Sequence, residues 1–514
     1  MPEPEAEIPI LLTELLADNS NIPLHTPCGG NGTCLKCKVK VTGDVLPPSD
    51  YERLLLSEIE LKANVRLACM TYVKGRVCVE PLDKSITESK DRIVVLGEMP
   101  EINLSYGRKS GDEGYGIAVD IGTTTVAAYL YDLNSGKQIK VVSDMNPQSK
   151  YGADVISRFE KSLSSHKKEL ALSIRRCLNS LIKELSKEIS GETNIKCVSI
   201  TGNTAMLYFL CEEDVERIAK LPFIPNRYFG EYVTPSEIGI DLPKDCKIYL
   251  TSCISAYVGG DITSAILASE IYKNKNKLLV DIGTNGEMAL SFLSKGRDDS
   301  EEIPAILCCS TAAGPTFEGA DISQGMTAKD GAICKVDIID GKMDFHVIGD
   351  VEAVGICGSG IIDLTAALIE LEMIDETGYF SNGEEAYNLP ETSVWITQKD
   401  IRKVQLAKAS ICAGMYTLIN KAGLEPDDIS ELLVAGGFGN NINIKSAERI
   451  GLIPKGFAIK SRFIGNAAGS GASAVLLDSG KLEYSKKIGQ SAKTVDLSCD
   501  KYFMEKYIDC MMFN

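Results

Sequence analysis

Two stretches of this chain carry the same plan. In "GIAVDIGTTTVAAYLYDLNSGK" an apolar strand meets a tight turn at Gly122, a second strand follows, and the run ends at Asn134-Ser135-Gly136. "KLLVDIGTNGEMALSFLSKG" repeats strand, turn, strand and turn, and Asp281 stands where the first copy has Asp120. Apolar runs on either side of a glycine turn read as β-hairpins, and self-similar units point to a duplicated architecture. Helical stretches are expected after each copy, at 167–188 and 361–374. From Gly114 onward the chain therefore predicts an α/β unit of two lobes facing a cleft. Lobe 1 spans 114–275, and lobe 2 spans 276–514 and ends in helices.

The turns suit phosphate. Gly122 allows close backbone approach, and Thr123, Thr124 and Thr125 add hydroxyl and N–H donors. Gly283, Thr284 and Asn285 do the same in the second copy. A carboxylate cannot bind phosphate directly, so Asp120 and Asp281 are expected to hold Mg2+, through water. No G-x4-G-K-[S/T] sequence occurs, which excludes a P-loop. One D-x-G-T turn is a weak signal, because ordinary strand ends look alike; two in matching contexts are a strong one. Further on, "ELLVAGGFGNN" is a buried strand ending at Gly436-Gly437, a flat floor for a purine. "GICGSGIIDL" opens a helix at Gly358, suited to phosphate or ribose, with Cys357 read as packing.

Residues 1–83 form a different text, of short strands around "TPCGGNGTCLKCKV". The spacing is C-x5-C-x2-C at Cys28, Cys34 and Cys37, with Cys69 as a fourth candidate and Cys78 as its competitor. Three thiolates on one loop wrap a cluster from one side, while Gly29, Gly30 and Gly32 let backbone N–H groups face the sulfides. Structural zinc is the alternative, but zinc sites pair their cysteines two and two. The pattern fits a 2Fe–2S cluster better and resembles the ferredoxins; "RLACMTY" resembles the segment that brings their last ligand. Between this block and the hairpins, residues 84–113 are polar and broken and read as a linker with one strand-like interruption, "RIVVLGE".

Composition narrows the partners. A net charge of −17 argues against nucleic acid as the main partner, because phosphate binding needs a basic face. No apolar run approaches the roughly 18 residues of a membrane span, and "MPEPEAEIPI" lacks a signal-peptide layout, so a cytoplasmic protein is expected. Most of the 17 cysteines are scattered singly, as at Cys177, Cys197, Cys308 and Cys412, and read as reduced, buried small hydrophobes.

The phosphate and purine motifs, at 117–125, 280–287 and 433–439, resemble the actin-like ATPase superfamily of sugar kinases, acetate kinase and heat-shock chaperones. That resemblance makes "AYVGGDITSAI" the connecting helix and Asp261 a candidate to orient the attacking nucleophile, with a helix N-cap as the alternative. Fused to a ferredoxin module, the whole resembles the reductive activators of corrinoid proteins. The likeness rests on "CGGNGTCLKC", "AVDIGTTT", "NPQSKYGADVISRF", "GNTAM", "DIGTNGE", "GICGSGIID", "VAGGFGNNIN" and "YIDCMMF". It implies an α+β and α/β multidomain fold: an N-terminal β-grasp ferredoxin-like domain, a linker, and a two-lobed actin-like ATPase of the duplicated ribonuclease H type. The implied activity is ATP-dependent reduction of a Co(II) corrinoid to Co(I), with one electron delivered from the 2Fe–2S cluster. Co(I) is a strong reductant, so something must drive the transfer, and nucleotide-linked lobe movement can do so. The implied partners are a corrinoid protein of a methyltransferase system and an upstream low-potential electron donor, and the implied assembly is a homodimer. Asp154 reads either as an active-site acid or as part of a partner-facing loop. Three other readings compete. An activator of 2-hydroxyacyl-CoA dehydratases would hold its cluster between subunits. An actin-like chaperone would need a substrate domain, and a metabolite kinase leaves the cysteine loop unexplained.

Overall fold

The computed structural model describes residues 9–18, 37–82, 97–104, 114–189, 195–295, 302–436 and 442–513. Cys28, Cys34, their glycines and Gly437 lie outside the described residues. The chain separates into two units, Met1–Arg92 with Pro147–Ser165, and Ile93–Asn146 with His166–Asn514.

In the first unit a four-stranded sheet runs in the order Ile10–Leu11, Tyr72–Pro81, Lys38–Val45, Val65–Leu67. Its core is Leu12, Val39, Val41, Leu67 and Val73. Glu52 is fully buried beneath it and takes a two-pronged bond from Arg66, Nε to Oε1 at 3.0 Å and Nη2 to Oε2 at 2.8 Å. Burial alone would raise this carboxyl. The guanidinium and the N–H groups of Ser49 and Leu67 outweigh it and hold Glu52 below the usual range. The pair fastens helix Asp50–Leu55 to strand Val65–Leu67, and so fixes the turn that carries Cys69.

Asp154, in the same unit, stands at the start of a helix. It caps the helix Val155–Lys161, accepting from Ser157 N at 2.7 Å and Ser157 Oγ at 2.9 Å.

The second unit holds two six-stranded sheets. The first contains β1 (Tyr115–Ile121), β2 (Thr125–Asp132), β3 (Gln138–Met145), β4 (Ile195–Gly202), β5 (Glu231–Val233) and β6 (Lys247–Leu250), ordered β3-β2-β1-β4-β6-β5. After helix α1 (Gly260–Ser269) comes the second sheet. Its strands are β7 (Lys277–Ile282), β8 (Gly286–Lys295), β9 (Glu302–Thr311), β10 (Glu431–Ala435), β11 (Ser461–Gly465) and β12 (Lys493–Thr494), ordered β11-β10-β7-β8-β9-β12. The helices of this half that matter below are α2 (Gly358–Glu370), α3 (Gln398–Lys421), α4 (Ile444–Arg449), α5 (Ala467–Leu477) and α6 (Lys501–Asp509).

The duplication is thus structural. Each sheet has a three-strand antiparallel meander whose first strand pairs in parallel with a later one, β1 with β4 and β7 with β10. β1 and β7 are central and covered on both faces, which is why their sequences are continuous apolar runs. Between the sheets α1 packs on α5 so closely that a Cβ on Gly471 would lie 2.0 Å from Ser264 O; only glycine fits there. The expected helix at 361–374 is Gly358–Glu370, closing in a turn at Leu371. Within the stretch read as linker, Gly97 N donates to Asn466 O at 3.2 Å and Glu98 N to Ile464 O at 3.1 Å, alongside β11.

Candidate active site

Both DIGT turns close on themselves. Gly122 N donates to Thr125 O at 2.9 Å, and Gly283 N to Asn285 O at 3.0 Å. The first turn is fixed further by two asparagines. Asn146 Nδ2 donates to Gly122 O at 2.8 Å, and Asn203 Nδ2 to Thr123 Oγ1 at 3.1 Å. One carboxylate then joins the two turns. Thr124 Oγ1 donates to Glu318 Oε2 at 2.5 Å and Thr284 Oγ1 donates to Glu318 Oε1 at 2.8 Å. The turns from the two sheets therefore converge, and Glu318 takes up the hydroxyl donors that a phosphate would use.

The carboxyls of the motif meet at the same place. Asp120 ends β1 and Asp281 ends β7, directly across the strand pair from Glu287. Like charges facing each other across a ladder are destabilising, and Asp261 adds a further acid. Burial lifts Asp120 to about 6 despite the amide of Asn466, whose Nδ2 donates to Asp120 Oδ2 at 2.9 Å. Burial, with the charge of Asp120, lifts Asp281 to about 7. Asp261 is pushed up to about 8 by burial, eased by the Ile262 N–H and reinforced by Asp281 and Asp120. Glu287 is driven well up by burial, by Asp261 and by Asp281, and it shares a hydrogen bond with Asp261. Its Oε1 is buried without a partner. The four acids lie close enough to hold one another's protons, though among the described residues no group of three is arranged to hold a metal ion.

Asp261 is not the N-cap of α1, which is Gly259 with no side-chain bond. It lies in the first turn and accepts from Ile262 N at 2.8 Å, so its carboxyl faces the acid group instead of closing the helix. Gly436 follows β10 in the left-handed region, φ 140°, and its N–H donates to Gly465 O. Gly358 opens α2, and its neighbours Cys357 and Ser359 bond to Ile333 O and Cys334 O. The described contacts of Gly358 and Gly436 run to flanking strands and not to the acid group.

Glu318, Glu287, Asn466, Asn203 and Asn146 were not singled out from sequence. Three of them stand inside quoted motifs, "DIGTNGE", "GNTAM" and "NPQSKYGADVISRF". Glu318 had only the glycines at 314 and 319 to mark it, both at positive φ.

In the first unit, Cys37 Sγ and Cys69 Sγ lie 3.3 Å apart and buried, and Ala68 N donates to Cys37 O at 3.0 Å. Cys78 is exposed on strand Tyr72–Pro81, opposite Thr42. The structure brings Cys69 beside Cys37 and leaves Cys78 on the surface.

Family models match three stretches of the chain. Residues 5–74 match the 2Fe-2S iron-sulfur cluster binding domain, 115–274 the RACo middle region, and 275–514 the C-terminal domain of RACo, the ASKHA domain. The corrinoid activation enzyme RamQ of Eubacterium limosum is 31% identical over 594 residues, covering 99% of this chain and 98% of that one. A Co(II) methylated amine-specific corrinoid protein reductase of Methanosarcina barkeri is 27% identical, covering 73% of each chain. A solved structure of a reductive activator for corrinoid, iron-sulfur protein superposes with a TM-score of 0.69 at 28% identity, covering 98% of this chain and 95% of that one. The fold is thus a ferredoxin-type domain with an actin-like ATPase, and among the described residues no helix is long and apolar enough to cross a membrane. The chain belongs to the family of reductive activators of corrinoid proteins.

Proposed function

We propose that this protein uses ATP to return the Co(II) corrinoid of a methyltransferase partner to Co(I), one electron at a time. The observation that carries this reading is the convergence of both DIGT turns on Glu318 beside four acids, in a chain that also pairs Cys37 with Cys69.

On this reading ATP binds between the turns and displaces Glu318, so that Thr123, Thr124, Thr125 and Thr284 donate to phosphate oxygens. Asp120 and Asp281 would hold Mg2+, with Glu287 Oε1 as a further donor; a divalent cation there neutralises phosphate charge. Asp261 orients the attacking water. In the nucleotide-free cleft it carries its proton at neutral pH, which suppresses idle hydrolysis until positive charge enters. Gly436 and Gly437 floor the purine and Gly358 takes ribose or phosphate. Cys28, Cys34, Cys37 and Cys69 would hold the 2Fe–2S cluster, which supplies a one-electron donor when bound. The domain limits 1–83, 84–113, 114–275 and 276–514, a cytoplasmic location, a homodimeric assembly and an upstream low-potential donor complete the proposal. Differential affinity of the two lobe arrangements for ATP supplies the drive, since a ligand shifts an equilibrium only by what it binds differently.

The test is anaerobic. Reduced protein and a Co(II) corrinoid protein are mixed with ATP or with ADP, and the Co(I) absorption band is followed. Co(I) with ATP and none with ADP is expected; equal yields would remove the nucleotide from the reaction.

A further inference from the structure

A second reactive group lies in the ATPase half, on the face where α6 packs against α3. Cys412 on α3 and Cys510 at the end of α6 are both buried and share a small cluster with Ala409, flanked by Tyr416, Tyr507 and Met511. Their side chains are packed in one buried group and perturb each other's acidity. One turn before Cys412 sits Lys408, fully buried. Its ammonium donates to Met512 O and lies 5.0 Å over the Phe513 ring, and no carboxylate among the described residues pairs with it. A buried ammonium needs a nearby anion, and the thiols are the acids within reach.

The chemistry of the pair is asymmetric. Interaction with Cys412, with Lys408 and Lys506 nearby, holds Cys510 below the ordinary thiol range, while that same interaction and burial push Cys412 up. Burial lifts Cys177 and Cys197, by contrast, to about 12. Cys510 is therefore the more acidic and the more readily ionised of the two thiols. Both line a cavity of about 550 Å³ whose walls carry Lys445, Arg449, Lys455 and Lys506 against Glu448 and Asp509. On a chain of net charge −17 this cavity has a basic wall.

We propose that Cys412 and Cys510 form a redox-active thiol pair that exchanges with an anionic low-molecular-weight disulfide admitted by this basic cavity. The Cys510 thiolate attacks one sulfur of the small disulfide. Its S–S bond breaks, and the first thiolate leaves and takes a proton. Cys412 then gives up its proton and attacks Cys510 sulfur, releasing the second small thiolate, which takes that proton. The protein loses two electrons and gains one disulfide, and the small disulfide is reduced to two thiols. The new bond ties the C-terminal helix α6 to the long helix α3.

The test uses the full, cluster-loaded protein without air. It is incubated with oxidised glutathione, which is anionic, or with cystamine, which is cationic, and the modified cysteines are mapped by mass spectrometry. A Cys412–Cys510 disulfide is expected to form about tenfold faster with oxidised glutathione, and the difference should shrink in high salt. Cys412→Ser should trap a mixed disulfide on Cys510, while Cys510→Ser should leave Cys412 unmodified. Equal rates with the two reagents, or a trapped adduct on Cys412, would overturn the proposal. Should the serine variants not fold, limited alkylation of the unmodified protein decides. Labelling of Cys510 ahead of exposed Cys499 supports the pair, and the reverse order refutes it.

Discussion

The two hairpins share a plan but differ at the position facing the aspartate. Opposite Asp120 stands Ala127; opposite Asp281 stands Glu287. The surroundings differ too: the first turn is fixed by Asn146 and Asn203, while the described side-chain bond of the second is Thr284 to Glu318. An acid facing an acid across a ladder costs stability, so its presence in one copy marks function. The first hairpin acts as a preformed cradle. The second brings the acid that, with Asp261, makes the cleft responsive to positive charge.

Removing the acid chemistry should have the largest effect. Asp261→Asn is expected to lower corrinoid-stimulated ATP hydrolysis roughly 100-fold or more, the usual scale for a positioned acid–base group, with ATP binding retained. A tenfold effect or less would assign Asp261 to structure alone.

The pH dependence of the nucleotide-free protein comes next. Asp120, Asp281 and Asp261 hold protons more tightly folded, at about 6, 7 and 8, than their ordinary aspartate value of 3.8. Stability from these groups is therefore complete below pH of about 4 and is lost as pH rises through the folded values. Allowing for solvent screening of part-covered carboxyls, denaturant titrations should show a fall on the order of 2 kcal/mol between pH 5 and pH 8. Glu287→Gln should flatten the curve. A nucleotide-free protein that gains stability over this range would contradict the acid cluster.

Smaller effects should follow at the turns. Glu318→Ala frees two threonine hydroxyls, so ATP affinity measured by calorimetry should rise several-fold, the scale of about 1 kcal/mol for one net hydrogen bond. Weaker binding would show that Glu318 holds the nucleotide and not its place. Asn203→Ala loosens Thr123 and removes the cap bond from Met206 N, and should weaken ATP about threefold. If that loss exceeded the change from Glu318→Ala, the contrast between a fixed and a movable turn would fail.

Much of this was legible in the residues because backbone needs leave marks. A strand covered on both faces must be an apolar run, and a turn at a phosphate must carry glycine, so β1, β7 and the DIGT turns stand out. The likeness of "RLACMTY" to a ferredoxin segment pointed to Cys69, which lies beside Cys37 where the packing of Arg66 on Glu52 holds it. What escaped were side chains that act across long sequence separation. Glu318 reaches Thr124 from 194 residues away and Asn466 reaches Asp120 from 346 away, and no local period records such contacts. Asp261 was open to reading as a helix N-cap and Asp154 as part of a loop, yet Asp154 caps its helix and Asp261 stands inside the first turn. Cap geometry depends on a single residue of offset, which composition does not resolve.

The coupling of the two halves is tested most directly by single-turnover Co(I) formation in two variants run side by side. Asp261→Asn should leave the cluster reducible and ATP bound yet yield no Co(I) in the mixing time. Cys69→Ser should hydrolyse ATP and also yield none. Co(I) formation by Asp261→Asn at the rate of the unmodified protein would show that electron transfer needs no ATP chemistry, and would overturn the function proposed for this cleft.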